Sequence, residues 1–168
     1  QIRLKHKYQS DKSINRVTSI EINVNKKTGV ISVMNNGEGI PIKIHDKENI
    51  YIPELIFGNL LTSSNYNKNE LKHVGGRNGY GAKLANIFST LFIIETVDNQ
   101  THKKFKLSFY DNMTRKDKPI ITSTKEKPFT KITYHPDYKR FKIDGITEDM
   151  LKIMEKRAYD IAAYTDTS

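Results

Sequence analysis

Six of the nine glycines fall in two clusters, and these clusters carry the most specific chemical signal in the sequence. Gly37 and Gly39 form the first cluster, and four glycines within residues 75–81 form the second, with Lys83 close behind. Glycine lets a backbone approach a ligand closely, and a helix that starts there offers unpaired N–H groups and a partial positive charge. The second cluster therefore predicts a phosphate-binding site. The alternative is a tight loop followed by a solvated lysine.

Two common nucleotide motifs do not match the second cluster. A Walker A loop places lysine and then serine or threonine directly after its last glycine, whereas here Ala82 separates Gly81 from Lys83 and Leu84 follows. The dinucleotide-binding fingerprint requires a third glycine where Leu84 stands, and a strand leading into the loop. The spacing thus excludes both a P-loop and a Rossmann site.

The surrounding pattern predicts the elements that must position these clusters. Several short runs alternate apolar and polar residues, which indicates strands, and others repeat apolar residues at helical spacing. The predicted strands cover 20–24, 30–34, 91–97, 105–109 and 130–134, and the predicted helices cover 54–61, 80–89 and the stretch after Thr147. Thr147 is predicted to cap this last helix, with Glu148 and Asp149 in its first turn. Its predicted apolar face consists of Met150, Met154, Ala158 and Ile161. A turn ending at Gly29 joins the first two strands, and the second is apolar enough to be covered on both faces. Successive strands with few helices predict an α+β two-layer sandwich.

Composition limits the class of protein. The 168 residues suffice for one domain with a sizeable core, and no apolar run is long enough to predict a membrane span. Because there is no cysteine, neither a disulfide scaffold nor a thiolate metal site is possible. The five histidines are scattered without ligand spacing, so no metal site is predicted from them.

The net charge of +9 leaves nucleic acid open as a partner. However, the basic residues are 22 lysines and only 6 arginines, whereas base-contacting surfaces favour arginine. Lysine, asparagine and isoleucine are all abundant, which indicates a compositional bias rather than an evolved DNA-binding surface. A basic nucleic-acid-binding module without a nucleotide site stays open as an alternative function.

The first glycine cluster resembles a box of the GHKL ATPase superfamily. Asn35, Gly37 and Gly39, followed by Ile40 and Pro41, match the Asp-x-Gly-x-Gly pattern of gyrase, Hsp90, histidine kinases and MutL, with asparagine in place of aspartate. In that superfamily the first side chain accepts a hydrogen bond from the adenine amino group. The carbonyl oxygen of Asn35 can still accept one. The second cluster is similar to the superfamily's second glycine box, which closes over the triphosphate.

Longer strings are similar to the ATPase domain of eukaryotic type IIA DNA topoisomerases. These strings are residues 51–66, 75–84 and 157–162, and the resemblance extends over nearly all of the chain after about residue 16. It implies a Bergerat-type sandwich, with a mixed sheet and helices on one face. Residues 1–168 would form a single GHKL ATPase domain truncated at its N-terminus, with 1–16 as an exposed arm and 62–78 as the ATP lid. Another GHKL protein, such as a chaperone or a mismatch-repair clamp, is the alternative that these strings oppose.

The resemblance also implies which residues bind ATP. They are Asn35, Gly37, Gly39, Ile40, Ser63, Ser64, Asn65, Gly76, Arg77, Asn78, Gly79, Tyr80, Gly81, Ala82 and Lys83. Asn35 would contact adenine, residues 63–65 would contact the ribose and phosphates, and the stretch 76–83 would surround the β- and γ-phosphates.

The family's first box, with a water-activating glutamate and a magnesium-binding asparagine, is expected upstream of Gln1. None of the glutamates in this chain matches the context of that box, and Glu54 is interpreted as a helix-surface residue. We therefore predict no catalytic residue and no Mg²⁺ ligand within this chain, and no useful ATP turnover by the chain alone. For the intact enzyme the resemblance implies ATP and Mg²⁺ as cofactors, DNA as a partner, a homodimer, a nuclear location and no membrane.

Overall fold

The computed structural model describes residues 17–59 and 80–164. The strands in this part of the chain are β1 (Ile20–Asn25), β2 (Val30–Asn36), β3 (Ser89–Asp98), β4 (Lys103–Tyr110), β5 (Arg115–Lys116), β6 (Ile120–Ser123) and β7 (Phe129–Pro136). The helices are α1 (Ile52–Gly58), α2 (Gly81–Ile87) and α3 (Glu148–Tyr164). The predicted strands and helices are present, with ends shifted by a few residues.

The strands form one sheet in the order β1-β2-β7-β3-β4-β5, and β6 also pairs with β4. Each pair between described strands is antiparallel, where we expected a mixed sheet. For two of these pairs the reason is local, because short turns join β1 to β2 and β3 to β4, and a short turn can only reverse the chain. Gly29 has the positive φ of 70° that the first turn requires.

The helices pack on one face of this sheet. Phe92, Ile94 and Phe105 are almost fully buried on that face, and residues of α1 and α2, including Phe57 and Ala85, pack against them. A second cluster centres on Ile31, against which Met150, Leu151 and Met154 of α3 pack. The buried residues alternate along each of these strands, because residues two apart in a strand share a face. The two-layer α+β architecture with helices on one face is therefore confirmed.

Thr147 caps α3 as predicted. Its Oγ1 accepts a hydrogen bond from the backbone N–H of Met150 at 3.2 Å, which satisfies one of the free donors of the first turn. Glu148 and Asp149 follow in that turn, where the helix dipole favours acidic residues. The predicted apolar face of α3 is only partly correct, because Met150 and Met154 pack inward whereas Ile161 is exposed.

Two predictions about burial were wrong. Val33 in β2 is 37% exposed although it shares a strand face with the buried Ile31, so the apolar run of that strand does not mean that each of its apolar residues is covered. Glu54, interpreted as a helix-surface residue, is buried and forms a salt bridge with Lys116. A carboxylate can be buried in this way because a neighbouring strand supplies its cation. Among the described helices, none is long and apolar enough to cross a membrane.

Candidate nucleotide site

Asn35 lies opposite Thr130 where β2 pairs with β7. Residues directly opposite on antiparallel strands have their side chains on the same face, about 5 Å apart at Cβ. That face is the helix-covered one, because Ile132 and Tyr134 follow Thr130 at two-residue spacing and both pack against the core. The predicted base-binding residue therefore has a polar neighbour on an otherwise apolar strand face.

The side-chain amide of Asn35 is oriented by the backbone carbonyl of the next residue. Its Nδ2 donates a hydrogen bond to the carbonyl oxygen of Asn36 at 3.0 Å. Asn36 in turn uses its Oδ1 to accept from the backbone N–H groups of Thr18 and Ser19, both at 2.8 Å. The two adjacent asparagines thus have different tasks, since Asn36 anchors the chain before β1 and Asn35 lies on the site face.

Thr96, on β3, joins the glycine loop to β7. Its Oγ1 accepts a hydrogen bond from the backbone N–H of Ile40 at 2.9 Å and donates one to the carbonyl oxygen of Phe129 at 2.9 Å. It also lies 3.1 Å from Oγ1 of Thr130. Because Thr96 is fully buried, these contacts are shielded from competing water.

The loop after Asn35 is fastened along the end of β3. Gly37 and Gly39 both have positive φ, 136° and 71°. The backbone N–H of Ile42 donates to Oδ2 of Asp98 at 3.2 Å, and the backbone N–H of Asn99 donates to the carbonyl oxygen of Glu38 at 2.9 Å. The first glycine box is therefore a docked loop, whose shape is set by β3.

Asp98 is a buried carboxylate at this docking surface. Burial alone raises the pKa of its carboxyl group, but hydrogen bonds from the Thr101 side chain and from the backbone N–H groups of Gln100, Ile42 and Thr101 outweigh it. The net pKa lies below the usual value, so the group is charged at neutral pH. An ionised acceptor strengthens the hydrogen bond that holds Ile42.

The described part of the second glycine box is the start of α2. Tyr80, Gly81 and Ala82 are exposed, and a Cβ added to Gly81 would meet no atom of the described residues within 4 Å. Lys83 differs, because it is only 3% exposed and its burial lowers the pKa of its ammonium group.

The C-terminal turns of α1 and α2 are linked through Asn86. Its Nδ2 donates to the carbonyl oxygen of Phe57 at 3.1 Å, which satisfies an acceptor near the end of α1. Oδ1 of Asn86 is buried without a hydrogen-bond partner. The stretch between the two helices, residues 60–79, lies outside the described residues.

The structure describes eight of the predicted ATP-binding residues. Those on the sheet side are Asn35, Gly37, Gly39 and Ile40, and those at the helix start are Tyr80, Gly81, Ala82 and Lys83. The others lie outside the described residues: Ser63, Ser64, Asn65, Gly76, Arg77, Asn78 and Gly79, together with the predicted lid 62–78 and the predicted arm 1–16. Within the described residues there is no group of three or more His, Asp or Glu side chains that could hold a metal ion.

Sequence analysis missed Thr96, Asp98 and Thr130. Thr130 left one signal, because it is a polar residue in phase with two core residues of the same strand, Ile132 and Tyr134. Thr96 and Asp98 left a weaker one, as polar residues in phase with Phe92 and Ile94. Neither signal tells which other strand lies alongside, so their association with the glycine loop needed the tertiary structure.

No protein-family model matches the chain. DNA topoisomerase 2 of Penicillium chrysogenum is 48% identical over 154 residues, which is 92% of this chain and 10% of that protein. Among solved structures, the ATPase region of Saccharomyces cerevisiae topoisomerase II is 48% identical, with a TM-score of 0.82, over 95% of this chain and 42% of that one.

A more distant structure shares the fold. The 43K ATPase domain of Thermus thermophilus gyrase B, solved with an aminocoumarin, has a TM-score of 0.61 at 20% identity, over 82% of this chain and 32% of that one. The higher identity to topoisomerase II favours that family over other GHKL proteins. The chain spans about a tenth of the length of the curated relatives it matches.

Proposed function

We propose that this chain, which is homologous to part of the ATPase region of DNA topoisomerase II, binds ATP, and that the intact protein couples ATP hydrolysis to the passage of one DNA duplex through another. The observation that carries the proposal is 48% identity combined with a TM-score of 0.82 to a solved ATPase region. ATP binding would drive closure of a dimeric gate. Residues 1–168 would belong to one GHKL ATPase domain.

We assign two sides to the nucleotide site. On the sheet side Asn35 would accept a hydrogen bond from the adenine amino group, and the loop that carries Gly37, Gly39 and Ile40 would border the nucleotide. This assignment is supported by the position of Asn35 on the helix-covered face of the sheet and by the hydrogen bonds that fasten its loop.

On the helix side the start of α2 would meet the phosphates. Lys83 would provide the charge, and the exposed backbone at Tyr80, Gly81 and Ala82 leaves room for a ligand. Because Gly81 has open space around its Cα, its lack of a side chain is not required by packing within the described residues. Residues 63–65 and 76–79 complete this proposal, with 62–78 as the lid.

Mg²⁺ enters the proposal with ATP. The described residues offer no cluster of acidic or imidazole groups, so we assign no metal ligand to them and derive no step through the ion. DNA, a second copy of the intact protein and a nuclear location are likewise proposed for the whole protein. DNA as a partner rests on the name of the relatives, DNA topoisomerase 2, and the second copy and the nuclear location rest on the resemblance to the family alone.

Strand passage by the full-length protein tests this function. We expect relaxation of supercoiled DNA to require ATP, and Asn35→Ala to weaken ATP binding roughly two- to tenfold, the worth of one hydrogen bond. Asn23→Ala is the matched control, because Asn23 is an exposed residue of β1. Relaxation that proceeds equally without ATP, or a wild-type protein that does not bind ATP, would contradict the proposal.

A further inference from the structure

The turn between β4 and β5 contains three consecutive non-glycine residues with positive φ. Asp111, Asn112 and Met113 have φ angles of 52°, 58° and 66°. Left-handed backbone is disfavoured for L-amino acids, and although asparagine and aspartate tolerate it, methionine does not share that tolerance. A strained segment persists only where the surrounding contacts hold it in place. The contacts of this turn therefore indicate what it supports.

The turn is hydrogen-bonded along the junction of α2 and β3. The backbone N–H of Asp111 donates to the carbonyl oxygen of Thr90 at 3.0 Å. The backbone N–H of Asn112 donates to the carbonyl oxygen of Ser89, also at 3.0 Å. The side-chain Nδ2 of Asn112 donates to the carbonyl oxygen of Ile87 at 2.9 Å. Ile87 is the last residue of α2, so its carbonyl has no N–H partner within the helix, and the side chain of Asn112 caps it.

The helix α2 needs contacts of this kind because it is short. It has seven residues, Gly81–Ile87, and a helix of about two turns is not stable by itself in water. Its second half is also held by two other hydrogen bonds. Asn86 donates from Nδ2 to the carbonyl oxygen of Phe57 at 3.1 Å, and the hydroxyl group of Ser89 donates to the carbonyl oxygen of Ala85. The orientation of α2 is therefore set at its C-terminal half.

That orientation matters for function at Lys83. Lys83 lies four residues before Ile87, on the same side of the helix, and is only 3% exposed. The two residues are about 6 Å apart along the helix axis, so a tilt of about 10° at the C-terminal end would displace Lys83 by about 1 Å. A displacement of this size breaks a hydrogen bond to a phosphate oxygen, because donor and acceptor must lie within about 3.2 Å of each other.

We propose that Asn112 is a positioning residue for phosphate binding, because it fixes the end of α2 and thereby the place of Lys83. This inference rests on the proposed ATP site. The base side of that site is independent of the turn, since Asn35 is on β2 and two other strands, β7 and β3, separate β2 from β4. A change at Asn112 therefore alters the affinity for phosphates and leaves the affinity for the base.

Asn112→Asp is the most direct test. Aspartate has the same shape and tolerates positive φ, but its carboxylate has no hydrogen to donate to the carbonyl oxygen of Ile87. In the full-length protein we expect the affinity for a non-hydrolysable ATP analogue to fall about three- to tenfold, and the affinity for adenosine to change by less than about twofold. Calorimetric titration measures both affinities.

Asp111→Asn is the matched control, because it makes the reverse exchange at the neighbouring position of the same turn. The side chain of Asp111 is exposed and forms an ion pair with Arg115 at the surface. We expect both affinities to stay at the wild-type value. Equal losses of analogue and adenosine binding in Asn112→Asp would indicate a merely structural role and overturn the proposal.

A double-mutant cycle shows whether Asn112 acts through Lys83. If it does, Asn112→Asp should weaken binding of the ATP analogue in the wild-type background and have little further effect in a Lys83→Met background. Losses that multiply in the double variant would show that the two residues act independently, and they would overturn the proposal.

Asn112→Gly keeps the proposal testable if Asn112→Asp does not fold. Glycine accepts the positive φ and removes the amide without adding a charge, so we expect a similar loss of analogue affinity. Unchanged analogue affinity in a variant that folds would overturn the role of Asn112 and leave the proposed function standing. Absence of ATP binding in the wild-type protein would instead overturn the proposed function.

Discussion

A Cβ atom on Gly39 would lie 1.9 Å from the carbonyl oxygen of Val97. The backbone of the first glycine loop therefore rests directly on β3, at a distance that only glycine permits. Gly39 also has a φ of 71°, which costs other residues roughly 1–2 kcal/mol. Glycine is needed at position 39 because the loop packs its backbone directly against the sheet.

We therefore expect Gly39→Ala to destabilise the protein by more than about 2 kcal/mol, the sum of the φ cost and the backbone overlap. Equilibrium urea unfolding measures it. Gly81→Ala is the matched control in the other glycine box, where a methyl group meets nothing within 4 Å. It should leave stability unchanged or raise it by about 0.5–1 kcal/mol. Equal losses in both variants would contradict the packing argument.

Asp98 makes the docked loop sensitive to acid. Its folded-state pKa lies below the usual 3.8, so its contribution to stability is complete above about pH 4 and is lost as pH falls through the folded pKa. At pH 7 we expect Asp98→Asn to cost about 1–3 kcal/mol, because it weakens charge-assisted hydrogen bonds to Ile42 and Thr101. Unfolding at pH 7, 5 and 3 should show the variant and the wild type converging only in the most acidic sample. A stability difference between variant and wild type that stays constant at all three pH values would contradict a lowered pKa for Asp98.

Lys83 should contribute to the binding of phosphates more than of the base. We expect Lys83→Met, which keeps most of the buried stem, to weaken ATP roughly ten- to hundredfold and to leave adenosine binding nearly unchanged. Lys106→Met is the control, since Lys106 is exposed on β4, in the strand phase opposite to the core residues Phe105 and Leu107. Titration of each variant with ATP and with adenosine separates a loss of phosphate binding from a general loss of affinity. Equal losses for the two ligands would contradict the assignment of Lys83 to the phosphates.

Tyr138, just after β7, is hydrogen-bonded to the turn between β1 and β2. Its buried hydroxyl donates to the carbonyl oxygen of Gly29 at 2.7 Å. Tyr138→Phe leaves that buried acceptor without its donor, so we expect a loss of about 1–3 kcal/mol in the free energy of unfolding, with ATP affinity unchanged. Tyr159→Phe, at a tyrosine that is 70% exposed, should have no effect. A change in ATP affinity for Tyr138→Phe would show that the hairpin and the site are coupled.

Much of this architecture could be predicted because its causes are local. Alternation of apolar residues placed β3, β4 and β7, and Thr147 before two acidic residues placed the start of α3. The glycine spacing and the strings around it led to the family that the relatives support, and they predict Asn35 as the base-binding residue. Burial was predicted less well, as Val33 and Glu54 illustrate, because it depends on which other segment lies over a residue.

What the sequence by itself determined is therefore five of the seven described strands, the three described helices, the hairpin at Gly29 and the resemblance from which the nucleotide site is predicted. What only the tertiary structure decided is the grouping of Asn35, Thr96 and Thr130, which come from three strands brought together by register. The same holds for Gly39 on Val97 and for Ile42 on Asp98. Local patterns record which face of a strand is buried, but the pairing of strands far apart in sequence minimises the free energy of the whole sheet, and no single segment contains that information.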